Sequence, residues 1–177
     1  MSSHAANELP FAHARSRLLD VALRAELAVT DVVSAYLGQD VLRIVYLRDE
    51  VIGPLSVNQR LKFLFDIMDR EDWHDDFPCV RPVLSRVFER RNWLAHSMAW
   101  DFREPVKEDG DWVFSRSSYR RSNWKDEDFP LGRLRELVRL AQVIVRIDLD
   151  ALWIRSVPES WRLDAAVADE DGQPQTV

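Results

Sequence analysis

In the stretch "RRNWLAHS", Arg90 to Ser97, three side chains could do chemistry together: Arg91, Asn92 and His96. A guanidinium is costly to bury without a partner and matches phosphate oxygens well, while a neutral imidazole can take a proton near neutral pH. Asn92 and His96 are four residues apart, so on a helix they lie side by side and the amide can fix the imidazole's orientation. The combination suits phosphodiester chemistry. At 100° per residue Arg91 falls in the centre of an apolar stripe formed by Val80, Leu84, Val87, Leu94, Ala95 and Met98, where the pattern calls for an aliphatic side chain. Arg91 and His96 then point about 140° apart. The long arginine arm, a helix irregularity or a second subunit has to bring them to one atom. The competing reading pairs Arg91 with a buried carboxylate, Asp20, Glu26, Asp31 or Asp66, and leaves His96 as a surface residue.

Several helices must position this stretch. Phe11, Ala14, Leu18, Ala22, Ala25, Val29, Val32 and Tyr36 recur at helical spacing up to Gly38 and predict a long first helix. "DVLRIVYLRDEVIGPLS" fits a short strand, a helix extension or a packed connector. Ser56 is the expected N-cap of a second helix with Val57, Leu61, Leu64, Phe65 and Met68 on one face. The third helix starts around Pro82, a first-turn residue, and runs through the motif. Strand-like runs flank Asp109 and Gly110, which suit a tight turn, so a β-hairpin is expected at about 100–118. Leu134, Leu137, Val138, Ala141, Val145, Leu149 and Leu152 mark the last long helix, from about Leu131. The expected fold is mainly all-α: a four- to five-helix bundle with the hairpin inserted before the last long helix, spanning 11–157. It is bounded by a flexible N-terminus at 1–10 and an acidic tail at 158–177.

The 177 residues carry a net charge of −6 and are 46% apolar, as expected of one globular domain that does not hold nucleic acid by bulk charge. The single cysteine, Cys79, cannot form an internal disulfide, and the N-terminus lacks the basic and apolar segments of a secretory signal, so a cytoplasmic location is expected. The most apolar stretch, Leu137 to Ile154, is interrupted by Arg139, Arg146, Asp148 and Asp150, so no membrane partner is expected. The five glycines form no phosphate-cradling loop. "DWHDD", with His74, Asp75 and Asp76, lacks a second ligand cluster and reads as a solvated acidic loop. No cofactor or metal is therefore expected. Neither Cys79 nor Ser97 can pair with His96 on one helix, and Cys79 reads as a small core or helix-end residue. Arg116, Arg120 and Arg121, interleaved with Tyr119 and Trp124, could contact RNA, but a loop balanced by "KDEDF" is the preferred reading. Trp73, Trp93, Trp112, Trp153 and Trp161 read as core or interface anchors.

The string "RNWLAH", with the "LAHS" ending, resembles the motif of the HEPN superfamily: an arginine, a polar residue that is often Asn, and a histidine four to six positions after the arginine, late in a helical bundle. The sharp match covers Arg91, Asn92 and His96, and the looser one the helical core from Phe11 to Arg155. The resemblance implies a metal-independent endoribonuclease, an RNA substrate and a homodimer joined through the motif helix. It also implies a role as a toxin or antiviral effector, with an antitoxin or inhibitor protein as partner. In that mechanism a ribose 2′-hydroxyl attacks the adjacent phosphorus, His96 is the general acid or base, Arg91 stabilises charge on the non-bridging oxygens, and Asn92 orients His96 or contacts the phosphate. A subgroup controlled by nucleotidylation of a tyrosine two residues after the histidine has Met98 as its counterpart here, so that control is expected to be missing. The alternative is a non-catalytic helical module for dimerisation or protein interaction.

Overall fold

The first helix is the one the apolar spacing predicts, and it is longer: α1 runs Ser3–Leu37, opening ahead of Phe11. The protein is described by a computed structural model that covers residues 3–95, 106–108, 111–120 and 123–158. Ala14, Leu18, Ala22, Ala25, Val29 and Val32 form the buried stripe of α1, and the helix ends where the Gly38 N–H donates to the Ser34 carbonyl at 2.9 Å. The ambiguous stretch that follows is helical. Asp40 accepts from the Arg43 N–H at 2.9 Å and caps α2, Val41–Tyr46, which continues into a π-helical turn over Leu47–Ile52. At the end of that turn the Gly53 N–H reaches the Arg48 carbonyl at 2.9 Å, and a Cβ at this position would stand 2.6 Å from the same oxygen. Only glycine fits there without displacing backbone.

Helix α3, Val57–Arg70, begins as predicted at Ser56, whose side chain accepts from the Gln59 N–H while the Gln59 side chain accepts from the Ser56 N–H at 3.0 Å. This capping box satisfies two amides that the first turn would otherwise leave unpaired. Leu61, Leu64, Ile67 and Met68 are buried, and Val57 and Phe65 are half-buried. Helix α4 covers Val80–Ala95 and carries the motif; Cys79 lies just before it, exposed, with its carbonyl accepting from the Val83 N–H. Cys79 is thus a helix-end residue and not a core one.

The antiparallel pairing expected around residues 109–110 is present, with Val106 opposite Val113 and Glu108 opposite Asp111. It extends further than the predicted hairpin. Strands β1 (Val106–Glu108), β2 (Asp111–Arg120) and β3 (Asn123–Pro130) make a three-stranded meander in which Arg116 lies opposite Glu127 and Tyr119 opposite Trp124. The loop reading of Arg116 to Trp124 is therefore corrected, Arg121 and Ser122 lying outside the description. The sequence hides β3 because "NWKDEDFP" has no alternating apolar face; its one side chain known to be buried is Phe129.

Helix α5 (Leu131–Val143) passes through a π-helical turn (Ile144–Asp148) into α6 (Leu149–Ser156). The wider turn adds a residue to the repeat, which is why Ile144 and Leu149 are buried while Val145, expected on the stripe, is only half-buried. The chain is a mainly α-helical bundle, as predicted. By contacts it divides into two units: Met1–Ala25 with Cys79–Ile144, and Glu26–Pro78 with Val145–Val177. In the first, α5 packs against α4, β2 and β3 around Leu84, Leu94 and Leu134. Each of these fully buried leucines contributes about 1.5–3 kcal/mol relative to exposure.

In the second unit, Arg60 is a buried charge that the sequence did not single out. Its Nη2 lies 2.5 Å from the Glu26 carboxylate and its Nη1 donates to the Thr30 hydroxyl at 3.0 Å, which in turn donates to the Glu26 carbonyl. Asp31 has its pKa raised by burial, with Arg48 opposing the shift. Among the described residues no helix is long and apolar enough to cross a membrane.

Candidate functional site

The motif is held by the helix that carries it. Val80, Leu84, Val87, Phe88 and Leu94 anchor one side of α4. On the opposite side the Trp93 ring is buried and lies 5.5 Å from Phe129 of β3. A wide indole at that point fixes the rotation of α4 about its axis, because any turn would drive the ring out of its packing. The backbone at the motif is fastened separately, by Arg15 of α1, whose Nη2 donates to the Leu94 carbonyl at 3.1 Å. Arg15 is a positioning residue that sequence reasoning missed; its only signal was a long basic side chain beside Ala14 on the flank of the α1 stripe.

Arg91 is half-buried and Asn92 exposed, and the Arg91 Nη1 donates to the Asn92 Oδ1 at 3.0 Å. The structure thus brings these two predicted residues together, but the amide oxygen meets the guanidinium. His96 lies outside the described residues, as do Ser97 and Met98. The position of Arg91 on the α4 stripe is confirmed in angle but not in depth: its neighbours Val87, Phe88 and Leu94 are buried while it keeps contact with solvent.

Three of the carboxylates considered for Arg91 have other partners. Asp20 lies 3.2 Å from Arg24, Asp66 is bonded by Lys62 at 2.5 Å, and Glu26 holds Arg60. The fourth, Asp31, feels Arg48. Among the described residues, then, Arg91 has a neutral partner and no carboxylate.

The acidic loop has partners of its own. His74 Nε2 is 3.3 Å from Asp75, while Asp76 accepts from Arg155 at 2.6 Å and the Arg155 guanidinium covers the Phe77 ring. No group of three or more His, Cys, Asp or Glu is gathered for a metal among the described residues. Of the tryptophans, Trp73 packs edge-on to Tyr36 at 6.1 Å and Trp153 is exposed. The Tyr36 hydroxyl donates to Glu71, which holds its proton and raises its pKa. Comparison of the chain with protein-family models, with curated proteins and with solved structures finds no match.

Proposed function

We propose that the protein is a metal-independent endoribonuclease of the HEPN type. The reading is supported by the "RNWLAH" motif and, above all, by the state of Arg91: a half-buried guanidinium on a helix, bonded to a neutral amide and to no carboxylate among the described residues. A cation held there, at a site partly screened from water, favours the charge that builds on phosphate oxygens in a transition state. Its remaining donors have no partner among the described residues and can form a fork to two of those oxygens.

In the proposed reaction the ribose 2′-oxygen attacks phosphorus, the bond to the 5′-oxygen breaks, and the products are a 2′,3′-cyclic phosphate and a 5′-hydroxyl. His96 moves the proton, taking it from the 2′-hydroxyl or delivering it to the leaving oxygen. Asn92 keeps Arg91 in place and presents its NH2 group to phosphate or imidazole. The angular separation of Arg91 and His96 is met by a homodimer in which two copies of α4 face one another. We further propose a cytoplasmic toxin or antiviral effector, restrained by an antitoxin or inhibitor protein. Incubating RNA with the purified protein in excess chelator tests the reading: His96→Ala and Arg91→Ala each abolish cleavage, and equal cleavage by both variants refutes it.

A second reading, a non-catalytic interaction module, is favoured by α2. None of its residues is buried, and Leu42 is 82% exposed beside exposed Val45 and Tyr46. RNA left intact by the wild type, together with self-association that Leu42→Asp abolishes, would identify that role.

A further inference from the structure

On the flank of α4 away from Arg91, a groove of about 430 Å³ opens between α4, the end of β3 and the start of α5. Arg86 and Arg90 line it from α4, Arg133 from α5, with Phe129 between them and Glu89 and Glu136 also in the lining. Arg86 and Arg90 are four residues apart and so stand on one face of the helix, about 6 Å apart along its axis. The Arg90 guanidinium lies over the Phe129 ring, 4.7 Å from its centre, a cation–π contact that holds the charge at the groove.

Arg133 is placed against the helix dipole. It sits in the first turn of α5, where a positive charge is unfavourable and an anion is welcome. That turn has Pro130 as N-cap with no side-chain cap bond, and its Gly132 N–H donates to the Asp111 carboxylate at 2.7 Å. Among the described residues none of the three guanidinia is paired with a carboxylate. Arg155, which lines a cavity of about 390 Å³ in the other unit, is by contrast neutralised by Asp76. Three cations lining one groove, one of them stacked on an aromatic ring, on a chain whose net charge is −6, mark a site for a polyanion with flat groups.

We propose that this groove binds the phosphodiester backbone of single-stranded RNA, Arg86 and Arg133 contacting phosphates and the Arg90 guanidinium, backed by the buried Phe129 ring, meeting a base. It rests on the ribonuclease reading only for the identity of the polymer. Glu89 and Glu136 oppose the ligand, and Glu89→Gln tightens binding.

The test is fluorescence anisotropy with a labelled 2′-O-methyl oligonucleotide, which has no nucleophilic hydroxyl and is not cleaved. Binding is measured over a salt series. For single strands the slope of log K against log salt changes by about 0.7 per phosphate contact, so Arg86→Gln/Arg133→Gln makes it shallower by about 1.4. Arg139→Gln, on an exposed part of α5 outside the groove, leaves it unchanged, and a thermal melt verifies that the double variant is folded. An unchanged slope in a folded double variant overturns the proposal, as does no binding by the wild type. Equal competition by polyglutamate would assign the groove to an acidic peptide, and equal competition by inorganic phosphate to a small anion; either also overturns it. Failure of the ribonuclease reading shows separately, as ordinary RNA that is bound and left intact.

Discussion

Arg60 and Arg91 are both arginines on helices, yet their surroundings predict losses of very different size on removal. Arg60→Ala leaves the Glu26 carboxylate, whose side chain is 18% exposed, without its cation and the Thr30 hydroxyl without a donor. Breaking such a pair costs about 3 kcal/mol, the low end of the range for fully buried pairs. In a chain of this size that lowers the melting temperature by roughly 6–12 °C. Arg91→Ala removes a hydrogen bond to a neutral amide at a half-buried position and leaves no charge behind, a loss of about 0.5–1.5 kcal/mol. The expected fall is roughly 1–6 °C. Circular dichroism at 222 nm, with both variants melted beside the wild type, reads the difference. An Arg91→Ala fall equal to or larger than that of Arg60→Ala would refute the reasoning, because Arg91 would then be a structural charge.

Three further outcomes are expected. Ser56→Ala removes half of the α3 capping box and destabilises by about 1 kcal/mol in a denaturant titration, whereas Ser56→Asp restores most of it. Gly132→Ala brings a Cβ to 2.8 Å from the Asp111 carboxylate and lowers the melting temperature, and adding Asp111→Ala relieves the clash, so the two effects are not additive. Asp31 has a folded-state pKa raised above its ordinary 3.8 by burial, so its ionisation opposes folding. That penalty is absent below pH 3.8, grows as pH rises through the raised folded-state pKa, and is complete above it. Asp31→Asn therefore raises the melting temperature at pH 7 and gives no gain near pH 3.

The helices were legible because their faces are buried by regular apolar repeats: the α1 stripe ends at Gly38, and Ser56 and Gln59 announce α3 by their own chemistry. The π-helical turns were not, since an extra residue in a repeat looks like a weakening of the pattern and not like a different helix. The run from Arg116 to Trp124 was hidden for another reason: strands with little apolar alternation look like loops. At the site, spacing placed Arg91 on the apolar side of α4, but two things are invisible to periodicity. One is that the Asn92 oxygen accepts from Arg91; the other is Arg15, which reaches the Leu94 carbonyl from far along the chain. The groove arginines were missed because its two halves, from α4 and α5, meet only in the fold.

The most direct measurement is of the ends left when RNA is incubated with the purified protein in excess chelator. The account predicts fragments with a 2′,3′-cyclic phosphate and a 5′-hydroxyl from the wild type, and none from folded His96→Ala or Arg91→Ala. RNA left intact by the wild type, or cleaved to a 5′-phosphate and a 3′-hydroxyl, would contradict it.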